Sequence, residues 1–337
     1  MPSTRSPCGM QGISPEVTFG KGVAEATSNN ANTILTIRLI WSKAVSATPN
    51  FIMKIPKQIK GGLLPLKKDS RDFTLGGVFG ERVIPPNHDF MVAEPLVIKD
   101  QYDSDMCTAF ACCAVSEDQE NVLLSPEWFF AQVKKMKGNY KSWGADLRSV
   151  CRTACEAGFL EKNYAKYDLI IRNRDFLADW ENWPDNETDP LKHKKKSYFS
   201  VDIQGDIFDS FRSALWEYKE KKCTILTGCL WLKNWTNSPE GIIPDGEGTP
   251  IEGHAFKIFG QKNIRGKLYL VAQLSNGTDI GDNGIFYFSR EVANRTFKGY
   301  GAFMFIDAPP EEVKDIVWGW KEKLYNFFIK LTKIFTR

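Results

Sequence analysis

Histidine is scarce in this sequence, where only three of the 337 residues are histidines. Imidazole is the side chain best suited to proton transfer near neutral pH, so a histidine-dependent site must use His88, His193 or His254. His88 follows two prolines in a turn-like segment, and His193 lies in a lysine-rich run typical of a solvated loop. His254 instead opens an alternating apolar segment, which predicts a β-strand.

An excess of one charge and a long apolar run are also missing. The 44 basic and 41 acidic residues leave a net charge of +3, too small to favour nucleic acid as a partner. No run approaches the roughly 18 apolar residues of a membrane span, and residues 34–41 lie too far along the chain for an ordinary signal peptide. The sequence therefore predicts a soluble, cytoplasmic globular protein of bacterial or viral type that binds no nucleic acid.

The eight cysteines do not form an obvious disulfide framework. Cys112 and Cys113 are adjacent, which favours a reducing compartment. Cys151 and Cys155 share a helix face, but two further metal ligands are not visible nearby, so core packing is the better interpretation. We expect neither a metal nor a cofactor.

One cysteine stands where a polar loop runs into an apolar helix. Residues 100–111 place Cys107 at this junction, where the helix N-terminus favours the thiolate. Gln101 lies upstream in the loop and could aim its amide at an oxyanion beside the sulfur. His254, after a glycine-rich loop, could supply the base. The alternatives are a buried structural cysteine and a histidine that only caps a strand.

Several segments, in order, resemble the papain family of cysteine peptidases. Gln101 and Cys107, followed by Ala109-Phe110, match the family's Gln…Cys-Trp-Ala-Phe motif, and residues 253–255 match its histidine motif at a suitable separation. Weaker matches are Leu124-Ser125-Pro126-Glu127, Trp143-Gly144-Ala145 and Gly281-Asp282-Asn283-Gly284-Ile285-Phe286. The resemblance covers residues 83 to 306.

The resemblance implies an α+β, papain-like fold of two lobes, one helical and one β-barrel-like, with a cleft between them. It implies a cysteine endopeptidase, a hydrolase acting on a peptide or protein substrate, with Cys107 as nucleophile, His254 as base and Gln101 as oxyanion donor. It also implies that the residues lining the substrate are Trp143, Gly144, Ala145 and Gly253.

The sequence departs from the family at three places. Thr108 replaces the tryptophan after the nucleophile, and Ser104 replaces a disulfide cysteine. Leu274 stands where an asparagine should orient the histidine, and it cannot hydrogen-bond. Asn276 lies on the same side of the strand and could substitute at an irregular strand end. A backbone carbonyl or water could also hold the ring, or the protein could be a weak or inactive papain-like module that binds a peptide or protein partner.

The secondary-structure signals agree with the implied fold. Ser125 and Pro126 predict a helix start and Gly138 its end. Other helices are expected to follow Cys107 and to cover residues 145–157 and 206–221. The expected strands are 223–231, 254–258, 267–273, 284–289 and 301–306.

Four regions are expected along the chain. Residues 1–52 form a poorly ordered N-terminal extension, without the amphipathic helical pattern of the family's inhibitory propeptides. Residues 53–98 form an extended segment lying along the enzyme body, and 99–308 form the peptidase domain. Residues 309–337 form an amphipathic helical tail, which either packs on the body or, through 311–337, contacts a protein or membrane surface.

Overall fold

The computed structural model describes residues 24–26, 37–39, 59–67, 69, 74–75, 83–138, 144–164 and 190–306. The chain divides into two compact units, Met1–Pro56 and Lys57–Arg337. In the first unit, β1 (Ala24–Ala26) and β2 (Ile37–Leu39) pair as antiparallel strands. Trp143, the tail 309–337 and most of the extension 1–52 lie outside the described residues.

Three helices form one part of the second unit. These are α1 (Cys107–Glu120), α2 (Pro126–Lys137) and α3 (Leu147–Glu156). The predicted ends of α2 are confirmed, because the Ser125 side chain accepts a hydrogen bond from the Trp128 N–H and Gly138 adopts the left-handed conformation. The predicted start of α3 at residue 145 is wrong, since the Asp146 side chain caps the helix.

An eight-stranded sheet forms the other part, in the order β3-β5-β10-β6-β7-β8-β9 with β4 paired to β7. The strands and their accompanying helices are β3 (Thr74–Leu75), β4 (Phe90–Met91), β5 (Ser197–Val201), α4 (Ile207–Glu217), β6 (Ile225–Leu232), β7 (Pro250–Ile264), β8 (Lys267–Gln273), β9 (Ile285–Ser289), α5 (Arg290–Thr296) and β10 (Ala302–Ile306). The pairs are antiparallel except β3–β5. Among the described strands the sheet stays open between β3 and β9, so the expected β-barrel-like lobe is an incompletely closed one.

Each part has its own hydrophobic core. Aromatic side chains such as Phe129, Phe130 and Phe159 fill the helical core, while Trp231 and Phe256 lie in the core of the sheet. The expected α+β architecture is confirmed. None of the helices in the described part of the chain combines the length and apolar character of a membrane span.

A buried ion pair connects α1 to the sheet. Lys257 Nζ on β7 lies 2.8 Å from Asp118 Oδ1 on α1, and both side chains are about as buried as the core. The Thr224 hydroxyl donates to the other carboxylate oxygen of Asp118 at 2.6 Å. This pair fixes the helix that begins with Cys107 against the strand that carries His254.

Candidate active site

Cys107 is the first residue of α1 and is completely buried. Its Sγ accepts a hydrogen bond from the Gly62 N–H at 3.2 Å and another from the backbone of Ala255. Burial raises the pKa of the Cys107 thiol to about 12, because the thiolate loses its hydration. The sulfur therefore lies beside the residue that follows His254, but as a neutral thiol.

His254 lies on β7, opposite Cys229 of β6, and is also completely buried. Its Nδ1 is 3.1 Å from the carbonyl oxygen of Lys60, and the Trp231 ring meets the imidazole edge-on at 5.7 Å. Burial lowers the pKa of His254 to about 4, although the Lys60 carbonyl and the Asn276 side chain partly oppose this. At pH 7 the imidazole is neutral, and a neutral ring donates from Nδ1 to this carbonyl.

Gln101 is held at the same carbonyl. Its Nε2 donates to Lys60 O at 2.9 Å and to Ser104 O at 2.7 Å. Its Oε1 accepts from the Ser275 hydroxyl at 2.5 Å, which fixes the orientation of the amide. Two donors, Gln101 Nε2 and His254 Nδ1, thus converge on one peptide oxygen, and the amide of Gln101 is held where it can donate to an oxyanion beside the sulfur.

Asn276 lies beside His254, whereas Leu274 does not serve the site. Strand β8 ends at Gln273, and Leu274 turns into the core of the sheet. Asn276 then pairs across an isolated bridge with Asp100. The irregular strand end that would let Asn276 replace Leu274 is therefore present.

The Asn276 amide and the imidazole are close but not yet hydrogen-bonded. The amide is near enough to raise the pKa of His254. Yet His254 Nε2 and both polar atoms of the Asn276 side chain have no hydrogen-bond partner among the described residues. Buried polar groups are seldom left in this state.

A groove runs past the sulfur, and it is lined by three of the residues expected to contact substrate. The Ala145 N–H donates to Gly62 O at 2.8 Å, and Ala145 O accepts from the Leu64 N–H at 3.0 Å. Gly253 O accepts from the Leu63 N–H at 3.0 Å. Gly144, with φ of +77°, has room only for a hydrogen atom where it faces Gly62.

The groove is filled by the chain itself, through residues 60–66, which we call the strap. The sequence predicted an extended segment along the enzyme body over residues 53–98, and in this part of it the strap contacts both Cys107 and His254. The side chain of Leu63 is buried in a pocket beside Gly228 and Tyr300. The sequence signal was the pair Gly61-Gly62 ahead of an apolar run, since backbone without side chains can enter a narrow groove.

The fold is similar to those of several solved cysteine proteases. No protein-family model and no curated protein matches the sequence. Xylellain, a cysteine protease from Xylella fastidiosa, is similar with a TM-score of 0.60 and 20% identity, over 76% of this chain and 99% of that one. Procathepsin B S9 from Trypanosoma congolense gives 0.57 and 17%, over 72% and 85%. Digestive procathepsin L 3 from the larval midgut of Tenebrio molitor gives 0.50 and 13%, over 70% and 74%. The chain therefore has the two-lobe α+β fold of the papain-like cysteine proteases.

Proposed function

We propose that this protein is a cysteine peptidase that hydrolyses peptide bonds through a thioester on Cys107. The observation that carries the proposal is the pair of donors, Gln101 Nε2 and His254 Nδ1, on a peptide carbonyl beside a cysteine at a helix N-terminus. The groove also binds extended backbone on both sides, through Ala145 and Gly253. The papain-like fold of the chain supports the same class of function.

The chemistry follows from the positions of these groups once a substrate replaces the strap. The Cys107 thiolate attacks the substrate carbonyl carbon, and the resulting oxyanion accepts hydrogen bonds from Gln101 Nε2 and the Cys107 N–H. The imidazolium of His254 donates its proton to the leaving nitrogen as the C–N bond breaks. His254 then takes a proton from water, which attacks the thioester and releases the acid and the free thiol.

Asn276 is the residue that we propose orients His254. It is completely buried, it lies beside the imidazole, and its amide oxygen is available to accept from Nε2–H. Such a bond leaves Nδ1 to face Cys107 and stabilises the imidazolium. Leu274, at the position where the family has asparagine, is then a core residue and does not prevent catalysis.

Replacing the nucleophile tests the proposal directly. Cys107→Ala should abolish cleavage of a peptide library and labelling by a peptide carrying a thiol-reactive epoxide, because both need this sulfur. The matched control is Cys113→Ala, which removes a second buried thiol from the same helix and should leave both readouts. Cleavage and labelling are both measured by mass spectrometry. Cleavage that persists in Cys107→Ala would refute the peptidase assignment.

A binding module of the same fold is the second candidate. It is suggested by the Asn276 amide, which has no hydrogen-bond partner among the described residues and so does not orient His254 in this arrangement. It predicts that peptides bind the groove, and that Cys107 labels, without turnover. A peptidase predicts turnover that is lost with Cys107.

A further inference from the structure

We propose that Lys134 is a positioning residue of the groove, which fixes and polarises the peptide group whose N–H binds the backbone of a substrate. Lys134 lies on α2, and its ammonium donates a hydrogen bond to the carbonyl oxygen of Gly144. The inference deepens the proposed function, and its consequence for turnover rests on that function. The contact itself concerns the binding of backbone, so it can be tested without peptide cleavage.

A single peptide group connects Lys134 with the groove. The carbonyl of Gly144 and the N–H of Ala145 belong to the same planar unit. The carbonyl end accepts from Lys134, and the N–H end donates to Gly62 O at 2.8 Å. A positive charge at the oxygen draws electrons from the nitrogen and makes its N–H a stronger donor, because linked hydrogen bonds polarise one another. Lys134 thus acts on the groove through this peptide group.

The burial of Lys134 is unusual for a lysine. The residue is only 2% exposed, whereas lysine is almost never fully buried unless its charge is paired. Its ammonium also lies 4.8 Å from the centre of the Phe130 ring, whose face attracts a cation. The ring and the Gly144 carbonyl together hold the charge in place. The ammonium is therefore directed at one particular peptide group.

A second lysine of α2 provides a comparison. Lys137 Nζ lies 2.5 Å from Asp146 Oδ2, and the Asp146 side chain caps α3 by accepting from the Ser149 N–H at 2.9 Å. Both lysines therefore tie the segment that precedes α3 to α2. Of these two contacts, only that of Lys134 is made to a peptide group that donates into the groove. Lys137 is thus a matched control on the same helix.

The charge of Lys134 can be switched by pH. Burial lowers the pKa of Lys134 to about 8. The charged groups around it are Lys137 on its own helix, which lowers this pKa further, and Asp105 before α1 and Asp146 at the start of α3, which raise it. The ammonium loses its proton as pH rises through this value. Its effect on the peptide group should be lost with the proton.

The nucleophile and the base titrate outside this range. The pKa of Cys107 is raised to about 12, and that of His254 is lowered to about 4. Neither group changes its charge appreciably near pH 8. A change in the Ala145 amide around this pH therefore reports on Lys134, provided that it disappears when the lysine is replaced.

The amide resonance of Ala145, followed by proton–nitrogen NMR on the full chain from about pH 6.5 to 9.5, tests the inference. In the natural sequence the resonance should move upfield as pH rises, with a midpoint of about 8, because the Gly144 carbonyl loses its cationic partner. The movement should be absent in Lys134→Met, whose side chain carries no charge. It should persist in Lys137→Met.

Hydrogen exchange at pH 7, corrected for intrinsic rates, measures how firmly the contact holds the peptide group. The Ala145 amide should exchange about tenfold faster in Lys134→Met than in the natural sequence, because the peptide group has lost one of the hydrogen bonds that fix it. In Lys137→Met it should exchange at the natural rate. Equal acceleration in the two variants would reduce Lys134 to a general structural role and overturn the inference.

An Ala145 resonance that stays fixed over this pH range in the natural chain, or that moves equally in Lys134→Met, would also overturn the inference. If Lys134→Met does not fold, Lys134→Gln replaces it, since its amide is polar but uncharged. A titrating resonance in a protein that cleaves no peptide would keep the role of Lys134 and reject the peptidase. Cleavage that depends on Cys107, together with a resonance that does not titrate, would reject the role of Lys134 and keep the peptidase.

Discussion

Asn276 and Leu274 are only two positions apart, yet they serve different purposes. Leu274 is 1% exposed and belongs to the core of the sheet, whereas Asn276 is buried against the imidazole with its polar atoms unpaired. One side chain therefore contributes apolar burial and the other contributes a dipole at the site. Substitutions at the two positions should separate stability from catalysis.

Asn276→Ala should lower kcat on the order of 10²-fold, because the base loses the group that orients it. Leu274→Ala should instead cost about 2–5 kcal/mol of unfolding free energy, through lost burial and a cavity, with kcat nearly unchanged. Both are measured by peptide turnover and urea unfolding. Equal kcat losses in the two variants would contradict the assignment of Asn276.

The stability of the strap depends on pH through the histidine that it covers. His254 has a pKa of about 4 under the strap, against an ordinary value of 6.5. Its neighbours there are the Lys60 carbonyl, Asn276 and Trp231, which are uncharged. The strapped state therefore prefers the neutral imidazole. Its stability is complete above pH 6.5 and falls as pH drops from 6.5 toward 4.

Acid should therefore open the groove, by up to roughly 3 kcal/mol between pH 6.5 and 4. Hydrogen exchange at the Leu63 and Leu64 amides, corrected for intrinsic rates, should show protection falling over this range. The amide of Val271 in β8 is the internal control and should stay protected. Flat protection of the strap from pH 7.5 to 4.5 would disprove the link to His254.

At high pH, Cys107 makes the stability of the strap fall as pH rises, which is opposite to the effect of His254 in acid. The pKa of Cys107 is raised from 9 to about 12, so the strapped state prefers the thiol. Its stability is complete below pH 9 and is lost as pH rises from 9 toward 12. Protection of the strap should therefore be greatest between about pH 6.5 and 9.

At the scale of the whole molecule, Lys257 and Asp118 connect the helical part to the sheet. Burial raises the pKa of Asp118 and lowers that of Lys257, and their mutual attraction opposes both shifts. Removing one partner leaves the other charge buried without compensation. The pair should thus influence the packing of α1 on β7 as a unit.

Lys257→Met should destabilise the protein by about 3–5 kcal/mol. Adding Asp118→Leu should recover part of this loss, because the unpaired carboxylate is gone. Lys267→Met is the control, since its ion pair with Asp245 is exposed and should be worth at most about 1 kcal/mol. Urea unfolding of the single and double variants measures the coupling. Strictly additive losses would show that the pair does not act as a unit.

The sequence predicts those features whose signal is local. The position of Cys107 at a helix start, the strand after His254 and the caps of α2 follow from neighbouring residues. It left open whether Asn276 could replace Leu274, because that depends on where β8 ends. It did not predict the contacts of the strap, whose Lys60 carbonyl meets partners 41 and 194 positions away. Contacts over such separations leave no periodic pattern in the sequence.

The strap is joined covalently to the groove it occupies, so dilution cannot remove it. A tethered ligand competes at a fixed effective concentration, commonly in the millimolar range for short linkers. One backbone cut on the C-terminal side of Lys67 would leave the strap on a separate N-terminal fragment, which can dissociate once the solution is dilute. A single proteolytic event could thus convert a permanent blockade into a reversible one, without altering any group in the groove.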